Sequence, residues 1–205
     1  MAQFDYHTHR QRTWRDYTVY IRRLRGKPSP LLDMGSGIGL LLEAAKNFGL
    51  DAVGLEYEQE GVDETLRKGL IAYQQDLSKP IDRFDDATFG AIICNQVIEH
   101  LNPESQSNLI NEAFRLLKPG GQFLIMSPCR HFEPARLDPY HIGLLTPSEL
   151  KAMLQNAGFE RLNMGYNRPQ KFNDIPEQET SRLWEKFQPD VLSQTATALA
   201  FKPAK

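Results

Sequence analysis

The chain has 205 residues, 40% of them hydrophobic, and 24 basic against 26 acidic residues leave a formal net charge of −2. This length and composition can bury one sizeable core, so we expect a single domain over residues 1–205. The near-balanced charge makes a nucleic-acid partner unlikely as a general feature. The sequence contains no run of ~18 apolar residues, so no membrane-spanning helix is predicted. The first residues lack a secretion-signal pattern. The expected location is therefore cytoplasmic.

The first predicted element is a basic helix that precedes the first strand. Gly26 and Pro28 end it. The stretch from Arg10 to Lys27 holds seven basic residues against the single acid Asp16, which we interpret as a solvated face, with binding of a phosphate-bearing substrate as the alternative. Residues 1–29 would form a helical cap, packed on the core or serving as a lid. The packing residues at helical spacing are Trp14, Tyr17, Tyr20, Ile21 and Leu24.

A glycine-rich turn follows the first predicted strand. The apolar run from Leu31 ends in Asp33, and three glycines then alternate up to Gly39. Glycines tolerate the positive φ of a sharp strand-to-helix turn and let a ligand touch the backbone, so this segment predicts a nucleotide-like ligand. A dinucleotide fingerprint, G-x-G-x-x-G from Gly35, would require glycine where Leu40 stands. The chain lacks that fingerprint, which disfavours a nicotinamide-dependent oxidoreductase.

Helix-like and strand-like segments alternate along the rest of the chain, which predicts an α/β fold with a mainly parallel sheet. A polar insertion near residues 167–193, with a helix around Glu179 to Phe187, is expected before the last strand. The segment Lys118 to Gly121 is expected to end the helix that starts at Asn102, before the fifth strand. The other predicted helices are Leu40–Phe48, Gln59–Lys68, Asn102–Leu117 and Pro147–Ala157. The predicted strands are Leu31–Asp33, Ala52–Glu56, Ile71–Asp76, Gly90–Val97, Gln122–Ser127, Phe159–Tyr166 and Thr195–Phe201.

The pattern Asp-x-Gly-x-Gly-x-Gly from Asp33, followed by an acid at the end of the next strand, resembles the S-adenosylmethionine (SAM) methyltransferases with the seven-stranded Rossmann-like fold. Three further segments are similar to the small-molecule branch of that family in order and spacing. They are Phe84 to Phe89, Val97 to Leu101 and Leu117 to Gly121. The resemblance implies a class I fold over residues 30–205, with helices on both faces of the sheet and an antiparallel last strand.

The same resemblance implies a SAM site at the ends of the strands. Glu56, 21 residues after Gly35, is implied to accept hydrogen bonds from both ribose hydroxyls, with Tyr57 beside it. A helix N-cap is the alternative role for Asp76, and Gly39 is better explained by close packing of its helix on the sheet. The other implied contacts are Asp33, Gly35, Ser36 and Gly37 to the methionine portion, Asp76 and Leu77 to adenine, and Asn95 and Gln96 to the methionine tail and the acceptor.

The candidate catalytic residues are His141 and His131, which lie between the fifth strand and a capping-box helix. The segment Asp138 to His141 looks like family members that methylate hydroxyls of small metabolites, lipids or sugars. A histidine there could take the acceptor proton, and we predict His141 for this role, with a structural histidine as the alternative. His100 is interpreted as a helix-entry or packing residue. No metal site is predicted, and the disfavoured alternative is a set of N/O ligands formed by His131, Glu133, Asp138 and His141.

The expected function is SAM-dependent methyl transfer to a small-molecule acceptor, at a hydroxyl of a metabolite, lipid or sugar. Base methyltransferases carry Asn/Asp-Pro-Pro-Tyr/Phe where this chain reads Asn95 to Ile98 as Asn-Gln-Val-Ile, which counts against nucleic acid as the substrate. The alternative is a SAM-binding protein without catalysis, serving regulation or assembly. The sequence leaves the acceptor and the oligomeric state open.

Overall fold

The computed structural model of the protein describes residues 11–26, 28–166 and 194–204. Seven strands form one sheet in the order β3-β2-β1-β4-β5-β7-β6. Strands β1 to β5 pair in parallel, whereas β7 is antiparallel to both of its neighbours. This sheet confirms the predicted fold class. The strands are β1 Leu31–Met34, β2 Ala52–Glu56, β3 Ala72–Gln74, β4 Phe89–Asn95, β5 Leu117–Pro128, β6 Glu160–Tyr166 and β7 Thr195–Phe201.

Helices connect the strands and cover the sheet on both faces. The predicted helix around Glu179 to Phe187 lies outside the described residues. Two short elements were not predicted, a 3₁₀ turn at Ile98–His100 and the helix at Glu133–Arg136. The helices are α1 Trp14–Arg23, α2 Leu40–Asn47, α3 Gln59–Arg67, α4 Pro103–Leu116, α5 Glu133–Arg136 and α6 Pro147–Asn156.

The two helix starts with the strongest sequence signals are capped as expected. The Asn102 side chain accepts a hydrogen bond from the Ser105 amide (2.9 Å) at the start of α4. At the start of α6, Thr146 accepts from the Glu149 amide while the Glu149 carboxylate accepts from the Thr146 amide. Both caps satisfy amides that would otherwise lack a partner at a helix N-terminus.

The core has one apolar layer on each face of the sheet. Leu31 packs on the face covered by α1 and α2, and Leu32 packs on the face covered by α4 and α6. Side chains alternate between faces along a strand, so a continuous apolar run fills both layers. In α1, Ile21 is buried in the first layer and Tyr17 packs against Ile38 and Leu40, next to the glycine turn. The aromatic stripe of α1 is thus core packing at the border of that turn.

Strand β5 begins earlier than predicted. The helix before it ends at Leu116, as predicted from Lys118 to Gly121, whereas the strand starts at Leu117 and not at the predicted Gln122. Leu117 pairs with Phe89, and Gln122 pairs with Ala91. Residues 118–121 therefore bulge out of the ladder, where the Gly120 amide donates to the Lys202 and Pro203 carbonyls. Local composition suggested a turn, whereas pairing on both sides of the bulge keeps the segment in the strand.

The order of the strands places one crevice in the sheet. The chain runs from β1 outward to β2 and β3 on one side, and β4 and β5 lie on the other side. Ligands of open parallel sheets bind beyond the carboxyl ends of the strands where the order reverses. Here that point lies between Met34 and Asn95. No helix among the described residues is long and apolar enough to cross a membrane.

Candidate active site

The glycine turn after β1 has the backbone that only glycine adopts easily. Gly35, Gly37 and Gly39 have φ values of +84°, +52° and +78°. A Cβ at Gly35 would collide with the Val97 side chain, whereas a Cβ at Gly37 would meet nothing within 4 Å. The backbone at Gly37 therefore faces open space. A Cβ at Gly39 would collide with Thr65 of α3, so this glycine allows α2 and α3 to approach each other closely.

Glu56 ends β2 and joins that strand to the glycine turn. Its Oε2 accepts a hydrogen bond from the Gly37 amide (2.7 Å), and its Oε1 accepts one from the Glu58 amide (3.0 Å). Glu56 is buried, while Tyr57 beside it is exposed. The two amides hold the carboxylate in one orientation at the carboxyl end of β2, next to the glycine turn.

Two buried polar groups flank the turn. Burial and, after it, the nearby Glu56 charge together raise the pKa of Asp33 to about 8. A cation next to Asp33 would favour its ionised form. The Ser36 hydroxyl is buried, and within the described residues it has no hydrogen-bond partner. Buried polar groups are nearly always satisfied, so this hydroxyl points to a missing polar partner.

The tips of β3 and β4 carry the remaining predicted contacts. Asp76 accepts a hydrogen bond from the Ser78 amide (2.9 Å) in a turn, and no helix starts there, so the helix N-cap alternative is wrong. Leu77 is buried next to it. Asn95 ends β4, and Gln96 after it is exposed with a φ of +59°. A non-glycine residue in this strained conformation is typical of functional sites.

The arrangement fits SAM. The predicted residues lie at the carboxyl ends of β1 to β4, so one ligand in the crevice could reach all of them. Glu56 is a carboxylate suited to ribose hydroxyls, Asp33 is a buried acid suited to an ammonium group, and the backbone at Gly37 is open to close approach. Their roles as cofactor contacts remain predictions.

On the acceptor side, His141 is held by a short loop. Its Nδ1 lies 2.8 Å from the Ala135 carbonyl oxygen, and its Nε2 lies 3.7 Å from Asp138 Oδ2. A carbonyl only accepts, so Nδ1 carries the proton and Nε2 of the neutral ring keeps its lone pair. The side chain is 13% exposed. His131 is exposed and belongs to no such cluster among the described residues.

The structure adds Glu99 and His100, which sequence reasoning missed. The His100 and His141 rings lie 5.0 Å apart, and His100 Nδ1 lies 3.1 Å from the Tyr140 carbonyl oxygen. One ligand atom from each of Glu99, His100 and His141 lies within 4.8 Å of the others. Of the described residues, only these three group in this way, and His131, Glu133 and Asp138 are not among them. The sequence signal that could have indicated these two residues is an acid followed by a histidine shortly after a predicted strand.

Glu99 is fully buried in the 3₁₀ turn after β4. Its pKa is raised to about 8, mainly by burial and further by the Asp138 charge, against the lowering effects of its own amide and of Ser127. The Ser127 hydroxyl donates to the Pro128 carbonyl (3.2 Å), and within the described residues neither Glu99 carboxylate oxygen has a hydrogen-bond partner. A buried acid in this state is unusual, because an unmade hydrogen bond costs ~1–3 kcal/mol.

The histidine cluster adjoins the glycine turn. Burial raises the pKa of the Cys94 thiol, and the charges of both Glu99 and Asp33 raise it further. Cys94 in β4 is therefore within electrostatic range of both acids. The Val97 side chain, two residues before Glu99, packs against Gly35. The segment that carries Glu99 thus adjoins the glycine turn.

Gln106 of α4 fixes the loop that carries His141. Its Nε2 donates to the Ile98 carbonyl (2.9 Å) and to the Gly143 carbonyl. The Gly143 amide in turn donates to the Glu99 carbonyl (2.9 Å). These bonds connect the 3₁₀ turn to the loop, so Glu99 and His141 stay close although they are distant in sequence.

Comparisons with known proteins agree with this geometry. The family model described as a methyltransferase domain matches residues 6–163. A probable S-adenosylmethionine-dependent methyltransferase of Mycolicibacterium smegmatis is 32% identical over 161 residues, covering 72% of this chain and 59% of that protein. A ubiquinone biosynthesis O-methyltransferase of Methylococcus capsulatus is 32% identical over 159 residues, covering 66% of each chain. The chain thus spans less than two thirds of the length of the first of these relatives.

Solved structures share the fold at low sequence identity. A SAM-dependent methyltransferase of Archaeoglobus fulgidus has a TM-score of 0.74 and 19% identity, covering 94% of this chain and 96% of that one. Phosphoethanolamine N-methyltransferase 2 of Haemonchus contortus, solved with SAM, has a TM-score of 0.71 and 19% identity. The match covers 93% of this chain and 53% of that one. Since the family model covers most of the sequence, the chain belongs to the SAM-dependent class I methyltransferases.

Proposed function

We propose that this chain transfers a methyl group from SAM to a hydroxyl oxygen of a small-molecule acceptor. The observation that carries the proposal is the cluster of Glu99, His100 and His141 beside the glycine turn. A hydroxyl must lose its proton during methylation, and this cluster places proton-accepting groups on the acceptor side of the crevice.

Bound SAM supplies a methyl group already activated on a sulfonium. The residues of the chain then mainly orient the reactants and exclude water, for which ~7–11 kcal/mol is available from positioning. In this proposal Glu56 holds the ribose hydroxyls, Asp33 pairs with the methionine ammonium, and Asp76 with Leu77 recognises adenine. Asn95 and Gln96 separate the methionine tail from the acceptor.

The surroundings of the cluster favour an acceptor with an apolar part. Leu137, Tyr140 and Ile142 are 76%, 52% and 65% exposed in the loop that carries His141. Exposed apolar side chains grouped beside a polar site are typical of ligand-binding surfaces. The ubiquinone biosynthesis O-methyltransferases among the relatives, by their name, also act on oxygen, which supports the same class of acceptor.

The test compares His141→Ala, His141→Asn and His131→Ala on one acceptor identified from metabolite pools with labelled SAM. We expect both His141 variants to lose ~10²–10⁴-fold in turnover, as typical for removal of proton transfer, while SAM affinity stays close to that of the wild type. His131→Ala should retain turnover, because His131 is exposed and outside the cluster.

Calorimetry on the same proteins, with NAD as the control ligand, checks that SAM is the cofactor. Full turnover in both His141 variants would contradict the assigned role of His141. SAM binding without methyl transfer to any hydroxyl would favour the alternative, a SAM-binding protein without catalysis.

A further inference from the structure

We propose that Glu99, His100 and His141 bind one divalent transition-metal ion, and that this ion holds the acceptor oxygen next to SAM. The inference deepens the proposed function, and its catalytic part rests on it. The binding of the ion itself depends on the three side chains alone.

Both histidines present a lone pair suited to a metal. The Nδ1 atoms of His100 and His141 face the carbonyl oxygens of Tyr140 and Ala135, at 3.1 Å and 2.8 Å. Each Nδ1 must therefore be the protonated nitrogen, and each Nε2 is left with its lone pair. Histidine ligands of metals are almost always oriented in this way, by a hydrogen bond from the other ring nitrogen to a carbonyl or carboxylate.

Glu99 supplies the third ligand. Its carboxylate is fully buried, and among the described residues neither oxygen has a hydrogen-bond partner. A cation would satisfy it. The ligand atoms of the three side chains lie within 4.8 Å of one another, whereas atoms bound ~2.0–2.2 Å from one zinc ion lie somewhat closer together. Small side-chain rotations would close this difference.

The donor set selects the kind of ion. Two imidazole nitrogens and one carboxylate oxygen suit Zn²⁺, Mn²⁺, Fe²⁺ or Co²⁺, whereas Mg²⁺ and Ca²⁺ prefer oxygen ligands. Three protein ligands also leave a coordination position open, as in catalytic rather than structural zinc sites. Asp138 lies 3.7 Å from His141 Nε2 and is placed to interact with a group in that open position.

The ion would change how the acceptor loses its proton. An acceptor hydroxyl bound to the ion has a lowered pKa and releases its proton to solvent. The oxygen then bonds to the methyl carbon, and the methyl–sulfur bond breaks with its electron pair passing to sulfur. The ion keeps its oxidation state. In this scheme His141 acts as a ligand rather than as the direct proton acceptor.

The experiment is calorimetric titration of untagged, chelator-treated full-length protein with Zn²⁺. We expect one ion per chain in the wild type. Glu99→Gln, His100→Gln and His141→Gln should each weaken affinity by more than ~100-fold, because even loss of an outer hydrogen-bond partner costs ~10–100-fold. Asp138→Asn should have a smaller effect.

The other three histidines of the chain provide matched controls. His131→Gln and the double variant His7→Gln/His9→Gln should bind Zn²⁺ as the wild type does. If Glu99→Gln fails to fold by circular dichroism, His100→Gln carries the test, since His100 is exposed. No stoichiometric Zn²⁺ binding, or equal weakening by His131→Gln and His141→Gln, would overturn the metal site.

Activity measurements separate this inference from the proposed function. Chelator should abolish turnover without changing SAM affinity, and added Zn²⁺ should restore it. Zn²⁺ binding that depends on the three ligands but accompanies no hydroxyl methylation would support the metal site and overturn the proposed function. Hydroxyl methylation that persists in chelator, without Zn²⁺ binding, would overturn the metal site and support the proposed function.

Discussion

The carboxylate of Glu56 contacts two segments that are separate in the sequence. It accepts hydrogen bonds from the amides of Gly37 and Glu58, so it holds the glycine turn against the end of β2. The neighbouring Glu58 contributes its backbone amide to this contact, and its own side chain is half-buried. The two acids therefore differ in position although they are two residues apart.

We expect Glu56→Ala to weaken SAM binding by ~1.5–3 kcal/mol, the usual effect of losing hydrogen bonds to a charged group. Glu58→Ala should change SAM affinity little, because its backbone amide remains. Calorimetric titration of both variants with SAM measures the difference. Equal losses in the two variants would show that the ribose contact has been assigned to the wrong acid.

At the level of elements, the 3₁₀ turn Ile98–His100 and the loop before α6 are fixed to each other by α4. Gln106 donates to both segments, and Gly143 packs where a side chain would not fit. A Cβ at Gly143 would collide with the Leu101 carbonyl oxygen and with Gln106 Nε2. The position of His141 relative to Glu99 thus depends on residue 143 being a glycine, which has no side chain.

Gly143→Ala should lower the free energy of unfolding by ~1–3 kcal/mol, as overpacking does, and should reduce methyl transfer by displacing the His141 loop. The matched control is Gly165→Ala in β6, where a Cβ would make ordinary contacts with Thr197. Urea denaturation and turnover measure both effects, with SAM affinity expected to be unchanged. A Gly143→Ala protein as stable and active as Gly165→Ala would contradict this account of the loop.

For the whole molecule, the buried acids connect stability to pH. The pKa of Asp33 is raised from 3.8 to about 8 in the folded protein by burial and by Glu56. Between these two values the folded state binds more protons than the unfolded state, so the contribution of Asp33 to stability decreases as pH rises. Glu99 has the same direction of shift.

The Asp33→Asn substitution should remove the contribution of Asp33 to this loss of stability at higher pH. We expect the wild type to lose more unfolding free energy than Asp33→Asn when the pH of the ligand-free protein rises from about 5 to about 8. Urea denaturation at both pH values gives the comparison, and Glu99 is common to both proteins, so it cancels. Parallel pH profiles for the two proteins would mean that Asp33 titrates normally.

Local sequence patterns were enough to predict most of the elements, the fold class and the residues at the strand ends. Apolar runs, the glycine turn at Gly35 to Gly39 and the capping box at Thr146 are local patterns, and the elements that they predict are present. Parallel strands bring their carboxyl ends to one edge, so Asp33, Glu56 and Asn95 could be placed together from chain order alone.

The polar groups that meet on the acceptor side could not be predicted from local sequence patterns. Glu99 and His100 follow β4, and His141 follows β5, and no local pattern relates the two segments. Their contact depends on Gln106 and on the close packing at Gly143. The bulge at 118–121 in β5 has a similar origin, since pairing with β4 outweighs the local turn signal. Short-range patterns encode elements, whereas these contacts arise from packing between segments that are distant in the chain.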